Sequence, residues 1–523
     1  MTSRLVRYAL AGLLAAGASW VQDAAAQSVL RLVPNSDLKL LDPIFTPEGI
    51  TVQHGLMIYD TLFAWDEALA PKPQMVGGFT VSADKLTYVF TLRDGQAFHD
   101  GQKLTSKDVV PSLRRWMARD VLGQKLRDKV ASLEATDDKT VMLKLKEPYA
   151  WVEFSLASAS GNPPVIMREK DAATDPGKAV SEAVGSGPFA FAAAEWVPGS
   201  KVVYKKNTAY VPRTDAPSGL AGGRVVKVDR VEWHVNPDPT TAGAALVAGE
   251  VDLYIAPPPD IVPVLRRSKD VVVDARVPDY MGVLRMNHTF PPFNDVRARQ
   301  ALALMIDQKD YLTAAFGGIG QPCFSFFTCS GPSQSQAGAD PFTKPDAAKA
   351  KELMAAAGYK GEKIILIGAG DQAVHNSIAQ ITADKMRSIG LNVDLQWTDV
   401  ASMAGRRAKR EAPEAGGWHI FQTVLDTATL GSPMTNYPSN STCGARNWPG
   451  WPCDEEAEKL RDRFVQAGDD ASRKAALDAL HARLWATIPY LNTGQYQRPS
   501  AWRTNVTGML KAATTVFWNI EKK

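Results

Sequence analysis

Polar and apolar residues alternate most cleanly over residues 86–92, LTYVFTL, which is the period of a half-buried strand. A short apolar run at 79–82 and the polar turn Ala83-Asp84-Lys85 precede it, so a hairpin is expected there. Two Asp-Gly pairs, Asp94-Gly95 and Asp100-Gly101, then bracket Phe98-His99 as tight turns, and Thr105 or Ser106 is placed to cap a helix with Asp108 in its first turn. Alternation or short apolar runs predict further strands beginning at Leu30, at Thr140–Leu145, 201–205, 225–235, 251–255, Val271–Asp274, Tyr280–Met286, 364–367, 391–397 and 416–424. Helical spacing predicts helices at 50–62, 115–130, 240–248, 344–358, 371–388, Glu455–Gln466 and 471–486. The order strand 225–235, helix 240–248, strand 251–255 is a β–α–β unit, so the fold class is α/β.

Composition adds bounds rather than identity. A chain of 523 residues predicts two to four domains at about 100–200 residues each. Apolar content of 45% and charged content of 22% are ordinary globular values, and a net charge of +3 gives no reason to expect nucleic acid as a partner. The N-terminus changes the picture more. Arg4 and Arg7 precede a small, apolar stretch at 9–21, and Ala24-Ala25-Ala26 offers a signal-peptidase site, so cleavage is expected before Gln27 and residues 1–26 read as a signal peptide. A membrane anchor would need roughly 20 consecutive apolar residues, and Gln22-Asp23 interrupts too early. No cysteine lies near that site, so the product is expected to be free in the periplasm and without a lipid anchor.

The four cysteines fit an oxidising compartment. They are Cys323, Cys329, Cys443 and Cys453, in loop-rich sequence, and of three possible connectivities the local pairs Cys323–Cys329 and Cys443–Cys453 are the economical ones. Zinc is the alternative, but the spacings lack the two-to-four-residue gaps of zinc knuckles and no His-x₃₋₅-His pair accompanies them.

Candidate catalytic motifs are weak. Gly368-x-Gly370-x-x-Ala373 imitates a dinucleotide fingerprint, yet Asp371 would set a negative charge where a pyrophosphate sits. Ser82-Ala83-Asp84-Lys85 matches S-x-x-K at the end of a strand, without a K-T-G partner. The seven histidines are scattered without ligand spacing. No catalytic group, cofactor or metal is therefore expected.

Two runs carry a resemblance. The first is YDTLFAWD with MVGGFTVSADKLTYVFTLRDGQAFHDGQKLTSKDVV, beginning at Tyr59; the second is Pro291-Pro292-Phe293-Asn294-Asp295-Val296-Arg297 with Met305-Ile306-Asp307. Together with the turn Val184-Gly185-Ser186-Gly187-Pro188-Phe189, they resemble the family 5 periplasmic solute-binding proteins of ABC importers, which include dipeptide, oligopeptide, nickel and glutathione binders. The resemblance implies a periplasmic-binding-protein-like architecture of type II, cluster C: two α/β lobes joined by two crossing segments, with an extra domain inserted in the first. It divides the chain into domain I at 27–62, 186–276 and 497–523, the inserted domain II at 63–185, and domain III at 277–496.

It also implies a function. A small solute, peptide or peptide-like, is captured by hinge closure and handed to the permease subunits in the inner membrane, with the binding protein a monomer. A secreted enzyme or a sensory receptor on the same scaffold is the alternative. Asp426, which ends the segment from Gly417, falls where peptide-binding relatives grip the α-amine, although TATLGSP follows in place of the usual continuation. Trp418 is a loop aromatic suited to a pocket. Tyr280, Met281 and Asn287 fall at the crossover between lobes, and Tyr59 closes a helix expected at the cleft.

Overall fold

Val29–Val33 lies at the centre of a seven-stranded sheet, with parallel neighbours Arg230–His234 on one side and Leu253–Tyr254 on the other. The computed structural model describes residues 27–159, 161–275, 280–329, 333–370, 372–444 and 447–523; the expected signal peptide lies outside the described residues. The β–α–β unit is present, but its two strands do not touch. Helix Pro239–Ala248 carries the chain across the inserted Val29–Val33. The sheet continues through Lys201–Lys206 and Phe189–Phe191 at one edge, and through Ser500–Arg503 and Val271–Asp274 at the other.

A second sheet has five strands in the order Val393–Thr398, Ile364–Ala369, Ile420–Asp426, Tyr280–Met286, Leu491–Tyr496. The first three run parallel, and Tyr280–Met286 is antiparallel to both of its neighbours. Its Ile364–Ala369 strand is buried at every position, as expected of a strand covered on both faces.

A third sheet of four antiparallel strands, Val76–Val81, Thr87–Leu92, Thr140–Leu145 and Val130–Ala135, is formed by a continuous part of the chain. Its alternation buries Phe90, Leu92, Val141 and Leu143 against Val109, Leu113 and Trp116 of helix Ser106–Arg119. That helix starts as predicted, with a capping box between Thr105 and Asp108. The expected continuous helix at 115–130 is instead two, Ser106–Arg119 and Val121–Lys129. The buried Asp120 makes the break: its Oδ1 accepts from the N–H groups of Leu122 (2.8 Å) and Gly123 (3.0 Å), which starts a new helix there.

The chain passes between the first two sheets twice. One passage joins Asp274 to Tyr280 and the other joins Tyr496 to Ser500. Because Asp274 pairs with Ser500 in one sheet and Tyr280 with Tyr496 in the other, both passages leave and arrive side by side. Both local cysteine pairs are bonded, Cys323 to Cys329 and Cys443 to Cys453.

Candidate ligand-binding site

Tyr280 is the first residue of its strand on arrival from the other lobe, and the register sets it opposite Asp426 on one side and Tyr496 on the other. Both tyrosine rings sit with centroids 5.9 Å apart, and Tyr496 is stacked on Phe316 at 3.6 Å. Two residues beyond Tyr496, in the return passage, the Arg498 guanidinium lies 4.6 Å from the Tyr280 ring centroid. One carboxylate, one guanidinium and two phenols thus meet where the lobes join.

The Asp426 carboxylate is held rather than free. It ends strand Ile420–Asp426 and caps the short helix Thr427–Leu430, accepting from the Thr429 N–H at 2.7 Å and the Thr429 hydroxyl at 3.2 Å. Burial pushes its pKa up, against the pull of those hydrogen bonds. Burial likewise raises the Tyr280 hydroxyl, with Arg498 opposing. Burial works against the charge of Arg498, but Tyr280, Tyr496 and Asp426 outweigh it and its pKa is raised. Among the described residues Arg498 forms no ion pair; its partner is the Tyr280 phenol and ring.

A second cationic group lies on the lobe that carries Asp426. Arg407 ends helix Val400–Arg407 with its guanidinium 5.4 Å from the Phe421 ring and 5.5 Å from that of Trp448. Burial lowers its pKa, while the buried Tyr437 hydroxyl, whose own pKa burial raises, feels both Arg407 and Asp426.

Of the six residues expected to touch ligand, the structure brings Asp426 and Tyr280 together. The other four lie in packed surroundings. Trp418 is fully buried, its indole N–H donating to the Arg407 carbonyl at 3.0 Å and its ring set edge-on to Phe421. Asn287 is fully buried and fastens the strand end: its amide donates to the Trp418 carbonyl at 3.1 Å, and its Oδ1 accepts from the Thr289 hydroxyl at 2.6 Å. Met281 is fully buried. Tyr59 is fully buried against Gly185, where a Cβ would meet the Ile58 carbonyl oxygen at 1.8 Å, and burial raises the pKa of its hydroxyl. The loops carrying Trp448 and Trp451 are gathered by Arg285, which is fully buried and donates to the carbonyls of Pro449 (2.7 Å), Pro438 (2.7 Å), Pro489 (2.8 Å) and Trp448 (3.1 Å); burial lowers its pKa to about 9.

Sequence reasoning missed Arg498, Tyr496 and Tyr437. The first two stand in the run Gln495-Tyr496-Gln497-Arg498-Pro499, and a readable signal was the proline-ended break between two apolar strands that marks the return passage. The dinucleotide-like turn packs Gly368 under the Trp397 ring, where a Cβ would come within 2.8 Å, and its Asp371 lies outside the described residues. Among the described residues no group of three or more His, Cys, Asp or Glu is placed to hold a metal, and no helix is long and apolar enough to cross a membrane.

The profile of the family described as bacterial extracellular solute-binding proteins, family 5 Middle, matches residues 70–448. The chain belongs to this family. The family 5 chain is 39% identical over 509 residues to a probable peptide ABC transporter periplasmic-binding protein of Sinorhizobium fredii, covering 95% of this chain and 94% of the relative. It is 24% identical over 490 residues to a glutathione-binding protein of Pectobacterium atrosepticum, covering 91% and 90%. Among solved structures, a periplasmic binding protein of A. tumefaciens R10 in complex with agropinic acid superposes with TM-score 0.79 at 24% identity, over 95% of this chain and 99% of that one. A dipeptide-binding protein of Pseudoalteromonas sp. SM9913 in complex with Met-Leu superposes with TM-score 0.79 at 18% identity, over 95% and 100%. The expected class, a two-lobed periplasmic-binding-protein fold, is therefore that of this family 5 chain.

Proposed function

We propose that this family 5 protein is the periplasmic binding component of an ABC importer, and that it captures a short peptide or peptide-like zwitterion. The observation that carries the reading is the Asp426 carboxylate, fixed by Thr429 directly opposite Tyr280 at the junction of the lobes. A carboxylate so placed pairs with an ammonium group, and exclusion of water on closure strengthens that pair. The name of the Sinorhizobium relative, at 39% identity over nearly the whole chain, supports the same solute class. The lobes correspond to domain I at 27–62, 186–276 and 497–523 with its insert at 63–185, and to domain III at 277–496, in a monomer secreted through a cleaved signal peptide. Ligand raises the closed population only by its differential affinity for that state, and the closed form is what the inner-membrane permease takes up. Chemical turnover has no part in this role.

The chain has 13 tryptophans, so ligand is read by intrinsic fluorescence and by thermal melting. A ligand at a hundred times its Kd stabilises by about 2.7 kcal/mol, and at least one member of a di- and tripeptide panel is expected to move both signals. A panel in which none moves either signal overturns the proposal.

A further inference from the structure

A cavity of about 660 Å³ opens on the part of the molecule built on the five-stranded sheet. Small-molecule sites span about 300–1,000 Å³, so it is large enough to hold a ligand. It lies against the last turn of helix Asp470–Thr487, which leads into strand Leu491–Tyr496, and against helix Val296–Ala303, which follows strand Tyr280–Met286. The cavity therefore sits toward the strand ends remote from Tyr280 and Tyr496. A strand of seven residues separates those ends by roughly 20 Å.

Its walls are tied to one another. The Ser335 hydroxyl donates to the Asp478 carboxylate at 2.6 Å, which holds the loop before the cavity on helix Asp470–Thr487. Gly338, at φ +81°, presses on the same helix so closely that a Cβ would come within 2.8 Å of the Ala482 Cα. On the other side the Asp346 N–H donates to the Leu304 carbonyl at 2.8 Å, and the Asp346 carboxylate caps helix Ala347–Ala356 through the Lys349 N–H at 2.9 Å. The cavity is thus preformed by the fold.

The interior is aromatic and the rim cationic. Phe342 stacks on Trp485 with ring centroids 5.2 Å apart and planes 14° from parallel. Trp485 is 4% exposed, and among the described residues its indole N–H has no acceptor. A buried donor left unpaired is costly, and an acceptor brought in by a ligand would complete it. Lys344 and Lys349 stand in the lining against one carboxylate, that of Asp346, which is spent on its cap. Lys349 pairs with Glu352 at 2.7 Å, whereas Lys344 has no ion pair among the described residues.

We propose that this cavity is a second ligand site, separate from the one at Asp426, and that it takes aromatic monocarboxylates, with the ring against the Phe342–Trp485 stack and the carboxylate at Lys344. A flat ring continues an offset aromatic stack, and a carboxylate is the partner an unpaired ammonium lacks. Asp426, Tyr280 and Arg498 are absent from its lining, so the assignment stands or falls apart from the peptide reading.

Calorimetry on the full mature chain tests it with naphthoate, naphthamide and octanoate. Naphthoate is expected to bind saturably, about three- to fivefold tighter than naphthamide at low ionic strength, as one exposed ion pair allows, and tighter than octanoate, which has the charge without the ring. Added salt is expected to shrink the preference for the acid. In Lys344→Gln, acid and amide are expected to bind equally, at the level of the wild-type amide. In Ala486→Phe, which adds a ring to the lining from an exposed position, neither is expected to bind. Both variants are expected to keep the wild-type melting temperature. No saturable binding of naphthoate at millimolar concentration, or binding that survives Ala486→Phe, overturns the site. Octanoate binding as tightly as naphthoate overturns the aromatic class, and a preference for the acid that persists in Lys344→Gln overturns the role of Lys344.

Discussion

Asp426 has two roles on one carboxylate: it caps a helical turn through Thr429, and it faces the junction of the lobes beside Tyr280. The two roles separate on substitution. Asn caps a helix about as well as Asp, so Asp426→Asn is expected to leave the melting temperature within about a degree while weakening binding of free-amine ligands ten- to hundredfold, about 1.4–2.7 kcal/mol. Calorimetry with a dipeptide and its N-acetyl derivative checks this, since the acetylated ligand has no ammonium group to lose. A pH series follows from the same carboxyl. Burial raises its pKa, so as pH falls the carboxylate is protonated and loses the ammonium at a higher pH than an ordinary aspartate would. Affinity of the wild-type protein is expected to fall on acidification with a midpoint shifted upward from that of an ordinary aspartate, and that inflection is expected to be missing in Asp426→Asn. Among single residues, Asp426 was legible through resemblance and its place at a strand end. Arg498 was legible only as part of the proline-ended break that marks the return passage, because nothing in that run says that its guanidinium meets Tyr280.

The elements that hold the site depend on loops tied down covalently. Cys323–Cys329 closes a loop of sequence separation 6 and Cys443–Cys453 one of separation 10. The first is also bound to the strand that ends at Tyr496, for the Cys329 N–H donates to Gln495 Oε1 at 2.9 Å. Loops of this size are expected to lose about 2–3 kcal/mol per bond when opened. Replacing each pair with serine and measuring urea midpoints is expected to show that loss in both variants, and about the sum of the two losses in the unmodified protein under reductant, which opens both bonds. Both bonds follow from cysteine count, compartment and proximity along the chain. Helix and strand ends were less legible. The break at Asp120 wins over helical periodicity because a buried carboxylate can satisfy the N–H groups of a new first turn, a local signal that the spacing of apolar residues hides. The aromatic Trp418, expected in a pocket, precedes its strand and packs against Phe421 and Trp451 in an apolar cluster with Ile365 and Ile367 of the five-stranded sheet.

At the scale of the whole molecule, the four-stranded sheet and its helices do not hang free. Trp151, just beyond that sheet, stacks on Phe464 with ring centroids 5.8 Å apart and donates its indole N–H to the Val465 carbonyl at 3.3 Å. Lys125 donates to the Met434 carbonyl at 3.3 Å nearby, and burial first, then Arg461, lowers its pKa to about 8. These contacts bridge the region around the four-stranded sheet and the part of the chain that carries Asp426. A contact made in the closed arrangement and lost on opening adds to ligand affinity without touching ligand. Trp151→Ala is expected to weaken binding two- to tenfold, chiefly through faster release, and to increase the radius of gyration of the ligand-bound protein in small-angle scattering. Unchanged affinity and radius would show that the bridge does not contribute to closure.

The chain by itself determined its fold class, its run of alternating and helical segments, its local disulfides and, through two separated motifs, its family. These are properties of short windows, where periodicity, turn residues and proximity along the chain act directly. Only the tertiary structure decided which polar groups meet. Tyr280, Asp426 and Arg498 are separated by 146 and 72 residues in order along the chain, and they converge because three strands align at one end of one sheet while the return passage leads into another. That alignment depends on register, in which a slip of a single residue would turn every side chain to the opposite face, and register is a property of paired strands rather than of any one of them.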